Sequence, residues 1–340
     1  MLTCAEHVKY ITEFIDTYKK YENSIYDREI ECQRVRFRYV LGDIEEGDYY
    51  AGRYRDLAIG FAPQENGMDY FFNEDAYHKL YQKCDGNAQN LLDHYMDYWK
   101  NEITMKKVRD NYPAEIAEIL DSDGLFTSAG VAFPLYRMSG THPDYGKLVK
   151  LGIPGFIDLL EEKYSTAKDE SRELYKGLLR TIELLKDVCA SYRDEAAKRG
   201  FPEIADTLEN IINYPPRNLR EAIQLIHLFA ILSGSFNYGR LDVTLGDFVN
   251  ENEEEMLDCL IGFWKLINAR NCIWDGRIIV GGKGRSNEEK ADKFALLAIK
   301  ASRLNNDILP QLTLRFYDEQ NPDLLQAAYD NFTEGCVYPL

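Results

Sequence analysis

The middle of the chain carries apolar residues at three- and four-residue steps, the spacing of an amphipathic helix. This pattern predicts one helix from Asp144 to Tyr164 and another from Lys168 to Arg199, with Gly200 placed to end the second. Glutamates and lysines fill the positions between the apolar ones. We therefore expect the second helix to have a solvated outer face.

From Pro215 onward the pattern changes to that of an α/β protein. The segment from Glu221 to Leu232 is apolar on nearly every side and predicts a buried helix, and a further helix is expected from Glu253 to Asn268. Short apolar runs at Arg277–Val280 and Gln311–Phe316 predict strands. Because one helix separates these strands and another follows them, we expect a parallel sheet.

Start signals locate the helices around those strands. Ser286 with Glu289 three residues later is a capping-box pattern, and Pro322 is suited to the first turn of the last helix. Nearer the N-terminus the pattern predicts one helix from Ile11 to Tyr39, followed by a turn-rich segment from Gly42 to Gly67.

Charge and composition describe an acidic globular chain of one large domain or two smaller ones. Of 340 residues, 45% are hydrophobic, and 57 acidic side chains against 40 basic ones leave a net charge of −17. Such a surface repels phosphate groups, which disfavours nucleic acid and membranes as partners. No apolar stretch is long enough to span a bilayer and the N-terminus lacks a signal-peptide pattern, so we expect a cytoplasmic protein.

Seven cysteines occur at scattered spacings, without a CxxC pair. That arrangement argues against a disulfide framework and against a structural zinc site, and we expect most of the thiols to be small buried side chains. The five histidines are not spaced as two ligands on one helix. We therefore expect no metal site.

Two glycine-containing segments occupy positions where ligands commonly bind. The loop Gly281–Ser286 lies between a predicted strand and a helix, but it matches neither phosphate-binding fingerprint, so a structural turn is favoured. Ser233–Asp242 follows the buried helix, and its small residues would let a ligand approach closely. The alternative for this segment is a tight turn in which Arg240 pairs with Asp242.

Three further residues are candidates for chemistry. His142 and Asp144 would serve as acid–base or hydrogen-bonding groups. The alternative is that Asp144 caps the following helix while His142 lies on the surface. Cys336 is a candidate nucleophile or radical site, although no base is identifiable near it.

The segment YPPRNLREAIQ and four further segments, in the right order, resemble motifs of the glycyl radical enzymes, the family of pyruvate formate-lyase, glycerol dehydratase and choline lyase. The sequence YPPRNLREAIQ at Tyr214–Gln224 is similar to the family's PPxxFxEALQ segment. The other segments that resemble family motifs are Asp144–Gly152, Gly239–Asp242, Val280–Gly282, and Pro310–Arg315 with Asn321–Leu325.

The resemblance implies a helix-rich α/β fold. A helical N-terminal region at residues 1–213 would lead into part of a ten-stranded β/α barrel at residues 214–340, truncated at its C-terminus. In this anaerobic family a separate radical S-adenosylmethionine activase installs a radical on a glycine, and the radical passes to a cysteine whose thiyl abstracts hydrogen from the substrate. The implied activity is that of a lyase or transferase that cleaves a C–C, C–O or C–N bond in a small oxygenated substrate.

The family's C-terminal glycine motif, similar to Arg-Val-x-Gly-Tyr, does not occur in this sequence. Cys336 falls where the family has a turn ahead of the thiyl cysteine, so we interpret it as a pocket-edge residue rather than the radical carrier. The chain would then be the N-terminal portion of a glycyl radical enzyme, inactive alone and with no bound cofactor. Expected partners are a small-molecule substrate, a complementary C-terminal chain or a second copy of this chain, and the activating enzyme once the barrel is complete.

The resemblance also implies site residues. Cys336 is the catalytic candidate, and the substrate-binding candidates are Ser235, Phe236, Arg315, Phe316, His142 and Asp144. Two alternatives remain open. One is an enzyme that uses the Cys336 thiol with a glycyl radical supplied in trans, and the other is a non-catalytic binding or scaffold protein on a derived fold.

Overall fold

The computed structural model describes residues 2–55, 57–64, 67–118, 142–234, 237–270 and 276–339. The chain divides into two compact units, Met1–Gly42 with Tyr54–Thr141 and Asp43–Arg53 with His142–Leu340. The division that we expect at residue 213, between a helical region and the first barrel units, stays a prediction. Within the described residues, no helix combines the length and the apolar character that crossing a membrane requires.

The first unit contains six described helices and one antiparallel hairpin. Thr3 opens the first helix with a reciprocal capping box to Glu6. The elements are α1 Cys4–Lys20, α2 Ile25–Val40, β1 Ile59–Gln64, β2 Gly67–Phe72, α3 Glu74–Tyr81, α4 Gly86–Trp99, α5 Thr104–Asp110 and α6 Ala114–Ala117.

The prediction of one continuous helix from Ile11 to Tyr39 is wrong. Helix α1 ends at Lys20, and α2 begins at Ile25, after Ser24. The polar residues between them form a turn in which the Ser24 N–H donates to the Tyr21 carbonyl at 3.0 Å. This polar run contains neither glycine nor proline, so the sequence does not mark the break between the helices.

A disulfide in the first unit corrects the expectation drawn from the cysteine spacing. Cys4, at the start of α1, is bonded to Cys84, in the loop between α3 and α4, across 80 residues of sequence. No local sequence motif predicts a disulfide between residues so far apart, because only the packing of the helices brings the two thiols together. The free cysteines among the described residues are all buried, as predicted: Cys32, Cys189, Cys259 and Cys336.

The second unit carries the predicted succession of long helices followed by strands alternating with helices. Gly200 ends the longest helix at a φ of +84°, and Pro322 occupies the first turn of the last helix, which confirms both signals. The elements are α7 Tyr145–Thr166, α8 Asp169–Arg199, α9 Pro202–Asn213, α10 Leu219–Ser233, β3 Asn237–Arg240, α11 Leu241–Leu245, α12 Glu253–Ala269, β4 Arg277–Gly281, α13 Glu288–Asn305, β5 Gln311–Arg315 and α14 Pro322–Thr333.

One predicted helix start moves by a residue. Asn287, rather than Ser286, caps α13, and its side chain accepts a hydrogen bond from the Lys290 N–H at 3.1 Å. Both residue types cap helices well, so the sequence alone does not distinguish them.

The three described strands of the second unit form a parallel sheet in the order β3-β4-β5, as the alternation of strands and helices predicts. Helix α10 is buried on almost every side, in agreement with its apolar composition. The unit is therefore a helix-rich α/β layer with its sheet at the C-terminal end of the described chain.

A glycine joins two of the segments that resemble family motifs. Helix α7 is kinked at Gly152, where φ is +64° and ψ is −178°. A Cβ at this position would lie 2.7 Å from the Cα atom of Pro215, in the segment before α10. Gly152 is required both by its backbone conformation and by this close approach.

Candidate active site at the strand ends

The carboxyl ends of the three parallel strands bring two arginines next to a glycine turn. Arg240, Gly281 and Arg315 are the last residues of β3, β4 and β5, respectively. Gly281 is paired directly with Arg315, and Arg240 is paired with Ile279. Because ligands of parallel α/β sheets bind outside the carboxyl ends of the strands, this edge is the candidate site.

The sheet has one apolar and one polar face. Side chains alternate between the faces along a strand, and paired residues of neighbouring strands share a face. Ile278, Val280 and Leu312 are buried on the face covered by α13. The opposite face carries Ile279 together with hydrogen-bonding side chains, which are Asn237, Arg240, Arg277, Gln311, Thr313 and Arg315. The three strands contain no acidic residue, so this polar face is cationic.

Asp242 ties the end of β3 to the glycine turn after β4. Its Oδ2 atom accepts hydrogen bonds from the Gly281 N–H at 2.9 Å and from Arg285 at 3.2 Å, and its Oδ1 atom accepts one from the Val243 N–H at 2.9 Å. Arg240 donates to the Gly281 carbonyl at 2.7 Å, and its Nε atom lies 3.8 Å from Asp242. Burial raises the pKa of Asp242, while the charges of Arg240 and Arg285 oppose that rise. The loop Gly281–Ser286 therefore has a structural role, as expected, and Asp242 holds it to the end of β3. Arg240 lies beside Asp242, as the alternative for Ser233–Asp242 predicts, although Asn237–Arg240 is a strand rather than a turn.

His142 and Asp144 have different surroundings. The His142 imidazole lies so close to Gly239 of β3 that a Cβ there would overlap it, and φ at Gly239 is +57°. Partial burial lowers the pKa of His142, whose ring is 5.8 Å from that of Tyr145. Asp144 accepts a hydrogen bond from the Lys147 N–H at 2.9 Å and so caps α7, as the structural alternative predicts. His142 thus lies one residue from Arg240, whereas the Asp144 carboxylate is engaged at the helix start.

Two polar residues of the buried helix α10 hold the segment Asp43–Arg53 in the second unit. The Gln224 amide exchanges hydrogen bonds with both backbone groups of Ala51, at 2.8 and 3.0 Å. The rings of His227 and Tyr238 are linked by a contact of 3.1 Å from Nδ1 to the hydroxyl, and His227 Nε2 lies 2.9 Å from the Gly52 carbonyl. In the sequence, Gln224 and His227 are polar positions within an otherwise apolar helix. A polar residue at a buried position of a helix indicates a hydrogen-bonding role, since a buried polar group requires a partner.

Cys336 lies apart from the arginines. It is buried after α14, and its N–H donates to the Asn331 carbonyl at 3.0 Å. Helix α14 returns the chain toward the amino ends of the strands, as a parallel connection requires. Burial raises the pKa of Tyr338, and the charge of Arg277, the first residue of β4, opposes that rise. Cys336 therefore lies toward the amino ends of the strands, and Arg315 at their carboxyl ends.

The remaining predicted site residues are partly accounted for. Phe316 follows Arg315 and is 62% exposed. Ser235 and Phe236 lie outside the described residues. Within the described ranges, no group of three His, Cys, Asp or Glu side chains is placed to hold a metal ion. The sequence singled out Arg315 but missed its proximity to Arg240, because that proximity depends on the strand register.

Solved structures share this fold at low sequence identity. The glycerol-bound B12-independent glycerol dehydratase from Clostridium butyricum matches with a TM-score of 0.73 and 17% identity, over 99% of this chain and 49% of that chain. A glycyl radical enzyme from Archaeoglobus fulgidus matches with a TM-score of 0.72 and 14% identity, over 98% of this chain and 50% of that chain. Hydroxyproline dehydratase from Clostridioides difficile, bound to trans-4-hydroxy-L-proline, matches with a TM-score of 0.68 and 15% identity, over 96% of this chain and 47% of that chain. The chain thus spans about half the length of these structures.

Sequence comparison supplies the family. No curated protein matches this sequence. The family model described as "Pyruvate formate lyase-like" matches residues 4–340, which is almost the whole chain. The chain therefore belongs to the pyruvate formate lyase-like family, in agreement with the resemblance to glycyl radical enzymes in its motifs.

Proposed function

We propose that this chain is the N-terminal portion of a glycyl radical enzyme that cleaves a C–C, C–O or C–N bond in a small oxygenated substrate, in an anaerobic cytoplasm. The observation that carries the proposal is the match of nearly the whole chain to about half of several glycyl radical enzymes. The radical glycine and the thiyl cysteine would come from the other half, with a separate activase installing the radical. This portion holds no cofactor of its own in the proposal.

The described residues then act on the substrate by binding and orientation. The polar sheet face would line part of the barrel interior, because the helices cover the apolar face. Arg315, Phe316 and His142 lie at or near the carboxyl ends of the strands, where they would contact a substrate. Closure of the barrel would exclude water from radical intermediates.

The partner surface of this half is the open side of β5. Among the described strands, β5 is paired only with β4, so it is an edge strand of this sheet. Large apolar side chains are exposed on β5 and α14 and in the segments beside them, namely Ile308, Phe316, Tyr329, Phe332 and Val337. We infer that a complementary C-terminal chain covers this edge with the next β/α unit of the barrel.

Electron paramagnetic resonance after anaerobic activation tests the proposed function. Residues 1–340 alone, treated with a radical S-adenosylmethionine activase, should give no glycyl radical signal. The same chain mixed with a polypeptide that carries the missing cysteine and glycine motifs should give one. A signal from residues 1–340 alone, or none from the mixture, would contradict the proposal.

Substitution of Cys336 separates the proposal from the thiol alternative. Cys336 is buried toward the amino ends of the strands, so Cys336→Ala should leave substrate-dependent radical turnover of the mixture unchanged. Loss of turnover with the protein still folded would favour Cys336 as the thiyl residue. A folded complex that binds ligand and never forms a radical would favour the scaffold alternative.

Size-exclusion chromatography with light scattering tests the partner surface. The mixture should give a one-to-one complex, which the double variant Phe316→Asp/Tyr329→Asp weakens. Tyr214→Asp is the matched control, because Tyr214 is 57% exposed and lies outside β5 and α14. A dimer of this chain alone that the double variant disrupts would contradict the assignment of a complementary chain.

A further inference from the structure

We propose that Arg240 and Arg315 form a carboxylate-binding site at the carboxyl ends of β3, β4 and β5. The ligand would be a small hydroxy or oxo acid rather than a neutral polyol. Identification of that ligand as the substrate rests on the proposed function, whereas its binding does not.

The two guanidinium groups reach adjacent residues of one turn. Arg240 donates from Nη2 to the carbonyl of Gly281 at 2.7 Å. The Arg315 side chain runs along Gly282, and a Cβ at Gly282 would lie 3.5 Å from the Arg315 Nε atom. The strand register brings these side chains to the same face, since Gly281 pairs with Arg315 and Arg240 pairs with Ile279. One small anion above the Gly281–Gly282 turn is therefore within reach of both arginines.

The glycines of this turn keep the space between the arginines open. Both have positive φ angles, +77° at Gly281 and +81° at Gly282. A Cβ at Gly281 would lie 2.7 Å from a Leu314 methyl group and 2.8 Å from the Arg315 carbonyl oxygen. Any larger residue at Gly281 would force β4 and β5 apart and displace Arg315.

The charges of these arginines are not fully compensated. Arg315 makes no ion pair with any residue that the structure describes. The carboxylate near Arg240 is that of Asp242, 3.8 Å away, and it already accepts hydrogen bonds from Arg285 and two backbone amides. The Nε atom of Arg240 is buried without a hydrogen-bond partner. Arg315 is exposed to solvent, so its guanidinium group is accessible to an anion.

The geometry of the donors favours a carboxylate. A guanidinium group presents paired N–H donors that match the two oxygens of a carboxylate, and such charge-assisted pairs are stronger than neutral hydrogen bonds. A diol offers no charge to either arginine. Lys283, which follows the turn, is already paired with Glu319 at 3.1 Å, so the proposed site consists of the two arginines.

A matched pair of ligands tests the site without radical chemistry. Isothermal titration calorimetry of residues 1–340 would compare lactate with propane-1,2-diol, which differ by a carboxylate in place of a hydroxymethyl group. We expect lactate to bind and the diol to bind at least about tenfold more weakly. Arg315→Gln should weaken lactate binding by about tenfold or more, and Arg315→Lys by less, because lysine keeps the charge but not the paired donors.

Further variants and anions complete the test. Arg240→Gln should weaken lactate binding in a protein whose circular dichroism spectrum is unchanged. Arg303→Gln removes an arginine paired with Glu334 at 3.5 Å and should leave binding as in the wild type. Equal binding of lactate and diol, equal binding of sulfate and lactate, or indifference to both Arg240→Gln and Arg315→Gln would overturn the proposal.

The two proposals fail in different ways. If lactate binds but the completed enzyme forms no radical, the proposed radical function is contradicted and the proposed carboxylate site is supported. If the completed enzyme forms the radical but residues 1–340 do not bind lactate, only the proposed carboxylate site is contradicted.

Discussion

The Nε2 atom of His227 lies 2.9 Å from the carbonyl oxygen of Gly52. Because a carbonyl only accepts hydrogen bonds, Nε2 carries the proton, and Nδ1 accepts a hydrogen bond from the Tyr238 hydroxyl at 3.1 Å. A Cβ at Gly52 would lie 2.7 Å from the His227 imidazole, so this close contact requires glycine at position 52. This neutral, buried imidazole links α10 to the segment Asp43–Arg53 and to β3.

We expect acid to destabilise the fold through His227. Burial lowers its pKa from 6.5 to about 4, so the unfolded chain binds a proton between these values and the folded chain does not. The free energy of unfolding should be unaffected by this group above pH 6.5 and should fall as the pH drops toward 4. The full contribution is on the order of 3 kcal/mol.

Urea unfolding from pH 7.5 to 4.5 measures this effect. His227→Gln should be less stable at pH 7.5 but should show a shallower decline with falling pH. His78→Gln is the control for replacing a histidine by glutamine, because the His78 side chain is 61% exposed. Equal slopes for the wild type and His227→Gln would contradict the assignment.

Gly152→Ala should destabilise the second unit by about 2 kcal/mol or more. The substitution places a Cβ at a φ of +64° and 2.7 Å from the Pro215 Cα atom. Gly146→Ala, in the first turn of the same helix, meets only an Asp144 oxygen at 3.5 Å and should be neutral or slightly stabilising. Thermal unfolding of the two variants checks the prediction, and equal Tm values would contradict it.

Asp242→Asn should cost about 3 kcal/mol of stability. The change removes a buried charge that Arg240 and Arg285 face and leaves those guanidinium groups without it. Glu319→Gln breaks the exposed pair with Lys283 and should change stability by less than about 0.5 kcal/mol. Chemical denaturation of both variants provides the measurement. Similar losses in the two would show that Asp242 has no special role.

The reduced protein should have a free energy of unfolding about 4 kcal/mol lower than the protein with the Cys4–Cys84 disulfide, because the bond joins residues 80 positions apart in sequence. Thermal unfolding with and without dithiothreitol measures this effect. The double variant Cys4→Ser/Cys84→Ser should match the reduced wild type and should not respond to the reductant. An identical Tm for the oxidised and reduced wild type would be inconsistent with the bond.

The sequence predicted those parts of the fold that depend on nearby residues. Helices α8 and α12 follow from apolar spacing over many turns, and β4 and β5 follow from short apolar runs separated by a helix. The turn that splits the first helix in two was missed, because Tyr21–Ser24 contains neither glycine nor proline.

The site was only partly predictable for a different reason. Arg315 was identified through a motif, but its relation to Arg240 depends on a strand register that joins residues far apart in sequence. The contact of His142 with Gly239 and the bond of Cys4 to Cys84 likewise exist only after the chain has folded. Local pattern carries no information on such contacts.

The polar sheet face has a consequence for assembly. The Asn, Gln, Thr and Arg side chains of this face can form hydrogen bonds with water, so the proposed barrel lining would be solvated before the barrel is complete. Phe316, beside β5, and Tyr329, in α14, are among the large apolar side chains that are exposed. In the proposed assembly, water would leave the polar face only when the second half covers it.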